Sequence, residues 1–149
     1  MAETENPADA PTGTALDLSG PPSSAVFLGY EFLSVDRDAQ SMRVAFSSND
    51  QMLNPSGNVQ GGMLTAMLDD VMGSMMFVLL NGKKTPASVD LHTQFLRPAK
   101  PGRFVGEARV KHMTNSTAFV DATLYNDADE AIATAVQTLR LFPVRAKGE

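Results

Sequence analysis

Two glycines and two aspartates, close together in the chain, carry the chemistry that the sequence suggests. Gly61 and Gly62 follow a polar loop and precede a run of good helix formers, so they begin a predicted helix. Bare backbone N–H groups at that end favour negative charge, an arrangement that polarises a carbonyl or holds an oxyanion. The alternative is that the two glycines serve only a tight turn or close packing.

Asp69 and Asp70 are the only charged residues in the otherwise apolar segment from Gly61 to Leu80. Successive helix residues point about 100° apart, so the two carboxylates cannot share one face of a helix. At least one of them is therefore expected to enter a cleft. A desolvated carboxylate near an oxyanion donor is a candidate general base or nucleophile.

The spacing of Gly61 and Asp69 sets a condition on this chemistry. Eight residues span about 12 Å along a helix, so a carbonyl at the Gly61 N–H cannot also touch Asp69 of the same chain. The two groups meet only if a second helix runs antiparallel beside the first. The catalytic hypothesis therefore requires a homodimer, in which Asp69 faces Gly61 of the partner subunit.

The apolar segment predicts one long helix that ends at Asn81-Gly82. A bilayer would penalise its two carboxylates by about 2.5–3.5 kcal/mol each, so we set a membrane span aside. A helix that is apolar nearly all round must be wrapped by the rest of the chain. The sequence predicts six strands for this purpose: a hairpin within residues 26–46, then residues 88–95, 103–111, 117–125 and 131–142. The predicted fold is α+β, a six-stranded antiparallel sheet around one central helix.

Alternation assigns two faces to the strand that starts at Ser88. Val89, Leu91 and Phe95 are expected on one face, and Ser88, Asp90, His92 and Gln94 on the other. His92 and His112 are expected on strand surfaces. A methionine series is expected to fill the core, with lining of an acyl site as the alternative: Met63, Met67, Met72, Met75 and Met76.

Length and composition indicate one domain. The chain has 149 residues, of which 43% are apolar. Residues 1–24 are expected to form a disordered arm, residues 25–145 the folded domain and residues 146–149 a tail. The start of the chain lacks the pattern of a secretory signal, so we expect a cytoplasmic location. With no Cys and two His, no metal site is expected.

The formal net charge of −5 is unevenly placed. The first twenty residues contain four acidic residues and no basic ones, whereas residues 83–111 contain seven basic residues and two acidic ones. A basic stretch suits a phosphate-bearing small molecule, with a solvated strand face as the alternative. The overall acidity argues against a nucleic-acid partner.

Two runs resemble acyl-CoA thioesterases of the phenylacetate-degradation (PaaI-like) type, which have the hotdog fold. One run extends from Asn54 to Asp69, and the other contains Ser88-Val89-Asp90-Leu91 and Phe95-Leu96-Arg97-Pro98-Ala99. The resemblance covers about residues 26–142 in the same element order. It implies hydrolysis of an aryl- or short/medium-chain acyl-CoA to free acid and coenzyme A. It also implies a homodimer, paired into a homotetramer, with no cofactor other than the coenzyme A of the substrate.

The resemblance also implies residue roles. The Gly61 N–H would polarise the thioester carbonyl, Asp69 of the partner subunit would activate water or attack directly, and Asn54 would orient the thioester or the water. Ser88 matches a polar position used in some members. Gln60 stands where the family commonly has His, and Gln cannot titrate. That departure supports the alternative of a non-catalytic acyl-CoA-binding or regulatory protein.

The phosphates of coenzyme A need basic groups near the mouth of the site. The expected substrate contacts are Gly62, Ser88, Arg97, Lys100, Arg103 and Ser116. A hydratase is disfavoured, because hydratases of this fold usually pair an acid with a His near the helix.

Overall fold

The computed structural model describes residues 20–144. Its elements, in chain order, are α1 (Ser23–Phe27), β1 (Glu31–Asp36), β2 (Ser41–Ser47), a 3-10 turn (Asp50–Met52), α2 (Gly61–Leu79), β3 (Lys84–Phe95), β4 (Arg103–Met113), β5 (Thr117–Tyr125) and β6 (Ala131–Pro143).

The six strands form one antiparallel sheet in the order β1-β2-β4-β5-β6-β3. This confirms the predicted six-stranded sheet with one long helix. β1 and β3 lie at the two edges, and within residues 20–144 β3 pairs only with β6. Twelve residues of β3 therefore present one row of backbone groups that has no strand beside it.

α2 packs on the sheet through one face, which carries the centre of the core. Its buried residues are Leu64, Met67, Leu68, Val71, Met72, Met75 and Met76. The remaining positions of the 19-residue helix are half-buried or exposed, among them Ala66, Gly73 and Phe77. The methionines fill the core as predicted, with Met63 partly buried. The prediction of a sheet around one central helix is confirmed, and every residue of α2 except Gly62 is buried or half-buried.

By length and composition α2 also passes for a membrane-spanning helix, with a mean hydropathy of 1.4. It packs in the described fold as a core helix against β2 to β6. It ends where Asn81 and Gly82 adopt left-handed backbone angles (φ 53° and 67°), as the predicted helix end requires.

The start of the domain differs from the predicted boundary. Residues 1–19 of the expected arm and residues 145–149 lie outside the described residues. Ser23 and Ser24, assigned to the arm by the sequence, begin α1. A turn at Gly29 follows, where φ is 65° and an added Cβ would lie 2.9 Å from Ser47. β1 consequently starts at Glu31, five residues after the apolar run begins at Val26.

A bulge in β3 changes which side chains face the helix. Ser88 pairs with Leu139 and Asp90 pairs with Thr138, so Val89 is an extra residue between them. Val89 is 65% exposed, whereas the Ser88 hydroxyl contacts α2. The prediction that Ser88 shares a face with Asp90 and His92 is therefore wrong, because one inserted residue reverses the alternation.

Candidate active site

Asp69 lies at the centre of a hydrogen-bonded cluster that joins α2 to two strands. The Ser88 hydroxyl on β3 donates to Asp69 Oδ1 at 3.1 Å. The Gln137 side-chain amide on β6 donates to the same oxygen and, at 2.8 Å, to Ser88 Oγ. The structure thus brings Asp69 and Ser88 together, and the bulge at Val89 makes their contact possible.

Gln137 was not among the residues predicted from the sequence. It is the one buried polar residue among the residues described, with 3% of its surface exposed. It belongs to the helix-facing row of β6, whose other members are small or aliphatic: Ala133, Ala135, Leu139 and Leu141. An amide at the centre of an otherwise apolar row was the signal that could have identified it, because buried polar groups need partners.

Asp70 has a different environment from Asp69. Its Oδ2 is buried and has no hydrogen-bond partner within residues 20–144. Burial raises the pKa of Asp70 to about 6, and the neighbouring charge of Asp69 adds to the effect. Tyr30 lies close enough for the Asp70 charge to contribute to its own raised pKa, which burial dominates and a hydrogen bond with Ser74 opposes.

The N-terminus of α2 offers unpartnered donors beside a cleft. Gln60 at the N-cap makes no side-chain cap, and within the described residues the Gly61 and Gly62 N–H groups donate to no acceptor. The cleft has a volume of about 350 Å³, and its lining includes Gly61, Asn54, Phe95 and Arg97. Such a helix start is suited to a carbonyl oxygen that gains negative charge.

The two glycines differ in what surrounds them. A Cβ at Gly61 would lie 3.0 Å from the ring of Phe95, whereas a Cβ at Gly62 would meet no atom of residues 20–144 within 4 Å. Gly61 therefore lets an aromatic ring approach the helix start. Gly62 is exposed and leaves open space for a ligand or another chain.

Asn54 and Gln60 contribute unequally to the cleft. The Asn54 side-chain oxygen accepts from the backbone N–H groups of Ser56 (3.0 Å) and Asn58 (3.1 Å), which shapes the loop before the helix. Its NH₂ group is thereby left as a donor at the cleft. Gln60 is exposed and is not part of the cleft lining in the single chain.

Much of the predicted basic stretch is neutralised by ion pairs. Arg97 pairs with Glu130 at 3.5 Å and also donates to the Ala131 carbonyl at 2.7 Å. Arg103 pairs with Glu31 at 3.5 Å, and Arg109 pairs with Asp121 at 2.9 Å. Lys100 is exposed beside the cleft and makes no ion pair within residues 20–144. Lys100 is therefore the predicted phosphate contact with its charge most available.

Ser116 is distant from the other predicted substrate contacts in the same chain. Arg103 begins β4, whereas Ser116 follows its far end at Met113. An 11-residue strand is about 35 Å long, so one bound molecule at the cleft would have to span the sheet to reach both ends. Within one chain the predicted set is therefore split. Ser116 lies instead near the start of β3, where Lys84 donates to Asn115.

His92 and His112 are both exposed, as predicted for strand-surface residues. The ring of His112 stacks on that of Phe119, with centroids 6.2 Å apart, on the sheet surface away from α2.

The chain has recognisable relatives. The profile of the family described as Thioesterase superfamily matches residues 56–133, more than half of the chain. A crystal structure of a phenylacetic acid degradation-related protein of Ralstonia eutropha JMP134, provisionally titled a thioesterase, is 36% identical with a TM-score of 0.78. It covers 81% of this chain and 91% of its own.

Two further relatives extend the comparison. A protein of Saccharolobus solfataricus that carries a provisional esterase name is 28% identical over 112 residues, or 75% of this chain and 73% of that one. A Streptococcus mutans UA159 protein, whose structure was solved with acetyl-CoA bound, is 20% identical with a TM-score of 0.69. That match covers 78% of this chain and 91% of the other, and it supports the fold alone.

These matches confirm the resemblance on which the residue assignments depend. The match begins just before the helix entrance and ends within β6, so it includes Gly61, Asp69 and Ser88. The chain belongs to the thioesterase superfamily, and it is a thioester hydrolase with the hotdog fold.

Proposed function

We propose that the protein hydrolyses acyl-CoA thioesters to free acid and coenzyme A in a site shared by two subunits. The observation that carries the proposal is the pairing of an uncapped helix start at Gly61 with a carboxylate, Asp69, fixed by donors from β3 and β6. A Streptococcus mutans protein of the same fold was solved with acetyl-CoA bound, and we propose the same class of substrate here. Aryl, short and medium-chain acyl groups are the substrates that we propose.

The open edge of β3 supports a homodimer. Two β3 edges that pair antiparallel around a two-fold axis place the start of each strand beside the end of the other. Ser88 lies in the first half of β3 and contacts Asp69, and Phe95 lies at the end of β3 against Gly61. This pairing would bring Asp69 to Gly61 of the partner subunit across the half-buried side of α2.

The same pairing would bring together the predicted substrate contacts that lie far apart within one chain. The turn that holds Ser116 lies beside the start of β3, through the contact of Lys84 with Asn115. Antiparallel pairing would move that turn toward Arg97 and Lys100 of the partner subunit, next to the partner's cleft. The assembly that we propose is a homodimer that pairs into a homotetramer, in the cytoplasm, with no cofactor beyond the substrate's coenzyme A.

The chemistry follows from these positions. The Gly61 N–H polarises the thioester carbonyl and stabilises the oxyanion that forms as water attacks. Asp69 accepts a proton from that water, the C–S bond breaks, and coenzyme A leaves as a thiolate that takes up a proton. Direct attack by Asp69, followed by hydrolysis of the mixed anhydride, uses the same two groups. Asn54, through its free NH₂ group, and Gln60 are the candidates to orient the thioester or the water.

The first test measures release of free thiol from a panel of acyl-CoAs. We expect turnover by the wild type and a fall of about 100-fold or more in Asp69→Asn, the scale of losing a general base. Asp70→Asn is the matched control, because it makes the same change one residue along, and it should remain close to wild type. Absence of thiol release from every acyl-CoA would favour the non-catalytic binding alternative. Equal activity of wild type and Asp69→Asn would exclude the role of Asp69.

The second test separates a shared site from a site within one chain. Gly61→Pro removes the N–H at the first helical position, where proline is tolerated, and the extended Gln60 backbone (φ −62°, ψ 141°) permits it. Gly61→Ala is the control, because it adds a Cβ against Phe95 but keeps the N–H. We expect Gly61→Pro, like Asp69→Asn, to be nearly inactive. The two variant chains are then mixed, unfolded and refolded together.

A shared site predicts partial recovery in that mixture. About half of the randomly formed dimers are mixed, and each mixed dimer has one intact site, so about a quarter of wild-type activity should return. A mixture that stays as inactive as its two components would show that Asp69 and Gly61 act within one chain.

A further inference from the structure

We infer that Gln137 is a positioning residue for Asp69, and that its side-chain amide sets which carboxylate oxygen takes part in the reaction. The inference rests on the proposed function, since it requires Asp69 to act on the thioester. It adds a third element, β6, to a site that otherwise comes from α2 and β3.

All the hydrogen-bond donors of the cluster bind one oxygen of the Asp69 carboxylate or each other. Gln137 Nε2 donates one hydrogen to Asp69 Oδ1 and the other to Ser88 Oγ. Ser88 Oγ accepts that hydrogen and gives its own to Asp69 Oδ1. Oδ1 thus accepts two hydrogen bonds, while no donor within residues 20–144 reaches Oδ2. Oδ2 is the oxygen left to accept the proton of the attacking water.

The amide is poorly explained as a device for stability alone. Burying a primary amide is unfavourable unless its polar atoms find partners. Gln137 is 3% exposed, and its Oε1 is buried without a partner in the described part of the chain. Aliphatic residues occupy the positions on either side in the helix-facing row, so an apolar residue suits this place in the sheet. What the glutamine adds is its two N–H donors, and both are directed at the Asp69 cluster.

Fixing the carboxylate matters because reaction rates depend steeply on the position of the catalytic group. Ser88 alone would hold Oδ1 through one rotatable hydroxyl. The amide of Gln137, buried within β6, donates to both the carboxylate and that hydroxyl and so fixes them relative to each other. Loss of the amide should therefore slow the chemical step and leave substrate affinity almost unchanged.

The test compares kcat and KM for thiol release by full-length variants. Gln137→Met keeps the length and apolar bulk of the side chain but removes both donors. We expect kcat to fall about tenfold with KM within about twofold of wild type. Gln94→Met is the matched control, because Gln94 is an exposed glutamine on the neighbouring strand β3, and it should keep wild-type kcat. Gln137→His, which retains a ring N–H donor, should recover part of the loss.

A double variant shows whether Gln137 acts through Asp69. If it does, Gln137→Met should cost nothing further once Asp69→Asn has removed the carboxylate. A further tenfold loss in that background, or a raised KM with unchanged kcat, would overturn the inference. Thermal melts establish that each variant folds. Should Gln137→Met fail to fold, Gln137→Leu, which also lacks both donors, carries the test, and wild-type kcat in that variant would also overturn the inference.

The outcomes separate this inference from the proposed function. Full activity of Gln137→Met together with an inactive Asp69→Asn would refute only the role of Gln137. Full activity of Asp69→Asn would refute the proposed mechanism, and the inference with it.

Discussion

Asp69 and Asp70 are adjacent in the chain and identical in chemistry, yet their surroundings differ. The Asp69 carboxylate receives hydrogen bonds from Ser88 on β3 and Gln137 on β6. Asp70, about 100° further round the helix, has a buried oxygen without a partner among residues 20–144 and a pKa raised to about 6. Hydrogen-bond donors stabilise the charge of Asp69, whereas burial and the neighbouring negative charge disfavour the charge of Asp70.

This difference shows that the position of a side chain around a helix can decide its role. Asp69 points toward the open edge strand β3, where the proposed partner subunit arrives. Asp70 points toward Tyr30 and Ser74, away from the cluster of Ser88 and Gln137. Substitutions that alter the surroundings of Asp69 or of Asp70 test this difference.

The largest expected effect comes from placing a second carboxylate in contact with Asp69, as a like-charged neighbour. Gln137→Glu replaces both donors by a carboxylate at hydrogen-bond distance from Asp69. Two carboxylates that share one site do not both ionise readily, so the base is lost at neutral pH. We expect kcat for thiol release at pH 7.5 to fall about 100-fold. Gln137→Met, with its expected tenfold loss, is the reference for removal of the donors alone, and equal losses in the two variants would show that the added charge has no effect.

A smaller effect is expected from relieving Asp70. Because folding raises the pKa of Asp70 from 3.8 to about 6, the folded state binds the proton more tightly than the unfolded state. Asp70 therefore destabilises the fold fully above pH 6, and this penalty disappears as the pH falls toward 4. Allowing for solvent screening of this half-buried group, Asp70→Asn should raise the free energy of unfolding by about 1–2 kcal/mol at pH 8.

Urea unfolding at a fixed protein concentration measures this effect. The Asp70→Asn and wild-type proteins should have nearly equal stability at pH 4 and differ at pH 8. Asp69→Asn is the control, because it replaces the charged acceptor of two hydrogen bonds by a weaker, neutral one and should not stabilise the protein at either pH. A wild-type stability that rises between pH 4 and pH 6 relative to Asp70→Asn would contradict the assigned environment.

The smallest effect is expected from Tyr30→Phe, on the Asp70 side of the helix. The variant loses the phenol hydroxyl, whose interaction with Ser74 lowers the pKa of Tyr30, but keeps the edge-on contact with Phe46, whose ring centroid lies 6.0 Å away. We expect the free energy of unfolding to fall by about 0.5–1.5 kcal/mol. Activity in the thiol-release assay should stay within about twofold of wild type, since Tyr30 contacts neither Asp69 nor Gly61. A kcat loss like that of Gln137→Met would show that both sides of the helix serve the reaction.

Much of the fold could be predicted because its signals are long or repeated. The apolar run that starts at Gly61 predicts α2, and alternation between polar turns predicts β5 with the observed bounds of Thr117–Tyr125. α1 could not be predicted, since five residues are too few to show helical periodicity. The half-buried side of α2 could not be told from its buried side, because an apolar helix face looks the same in sequence whether its own chain or another one covers it.

The site was only partly predictable for related physical reasons. Asp69 is conspicuous because a charge inside an apolar helix needs an explanation. Gln137 is inconspicuous because β6 also contains polar residues at Thr134, Thr138 and Arg140, which belong to the other face of the sheet. The contact between Ser88 and Asp69 could not be predicted, because Val89 is an extra residue in the ladder and resembles any other strand residue in sequence.

The bulge at Val89 determines which face of the sheet the preceding residues of β3 occupy. Each residue from Lys84 to Ser88 presents the side of the sheet opposite to the one that counting from Leu91 would assign. Deletion of this one valine would leave composition, charge and strand length almost unchanged. The Ser88 hydroxyl would still face α2 after that deletion, because Ser88 and Asp90 already pair with adjacent residues, Leu139 and Thr138. Pairing Val89 regularly, with every residue kept, is what would turn the hydroxyl outward, so the site could lose a polar group through a change of register alone.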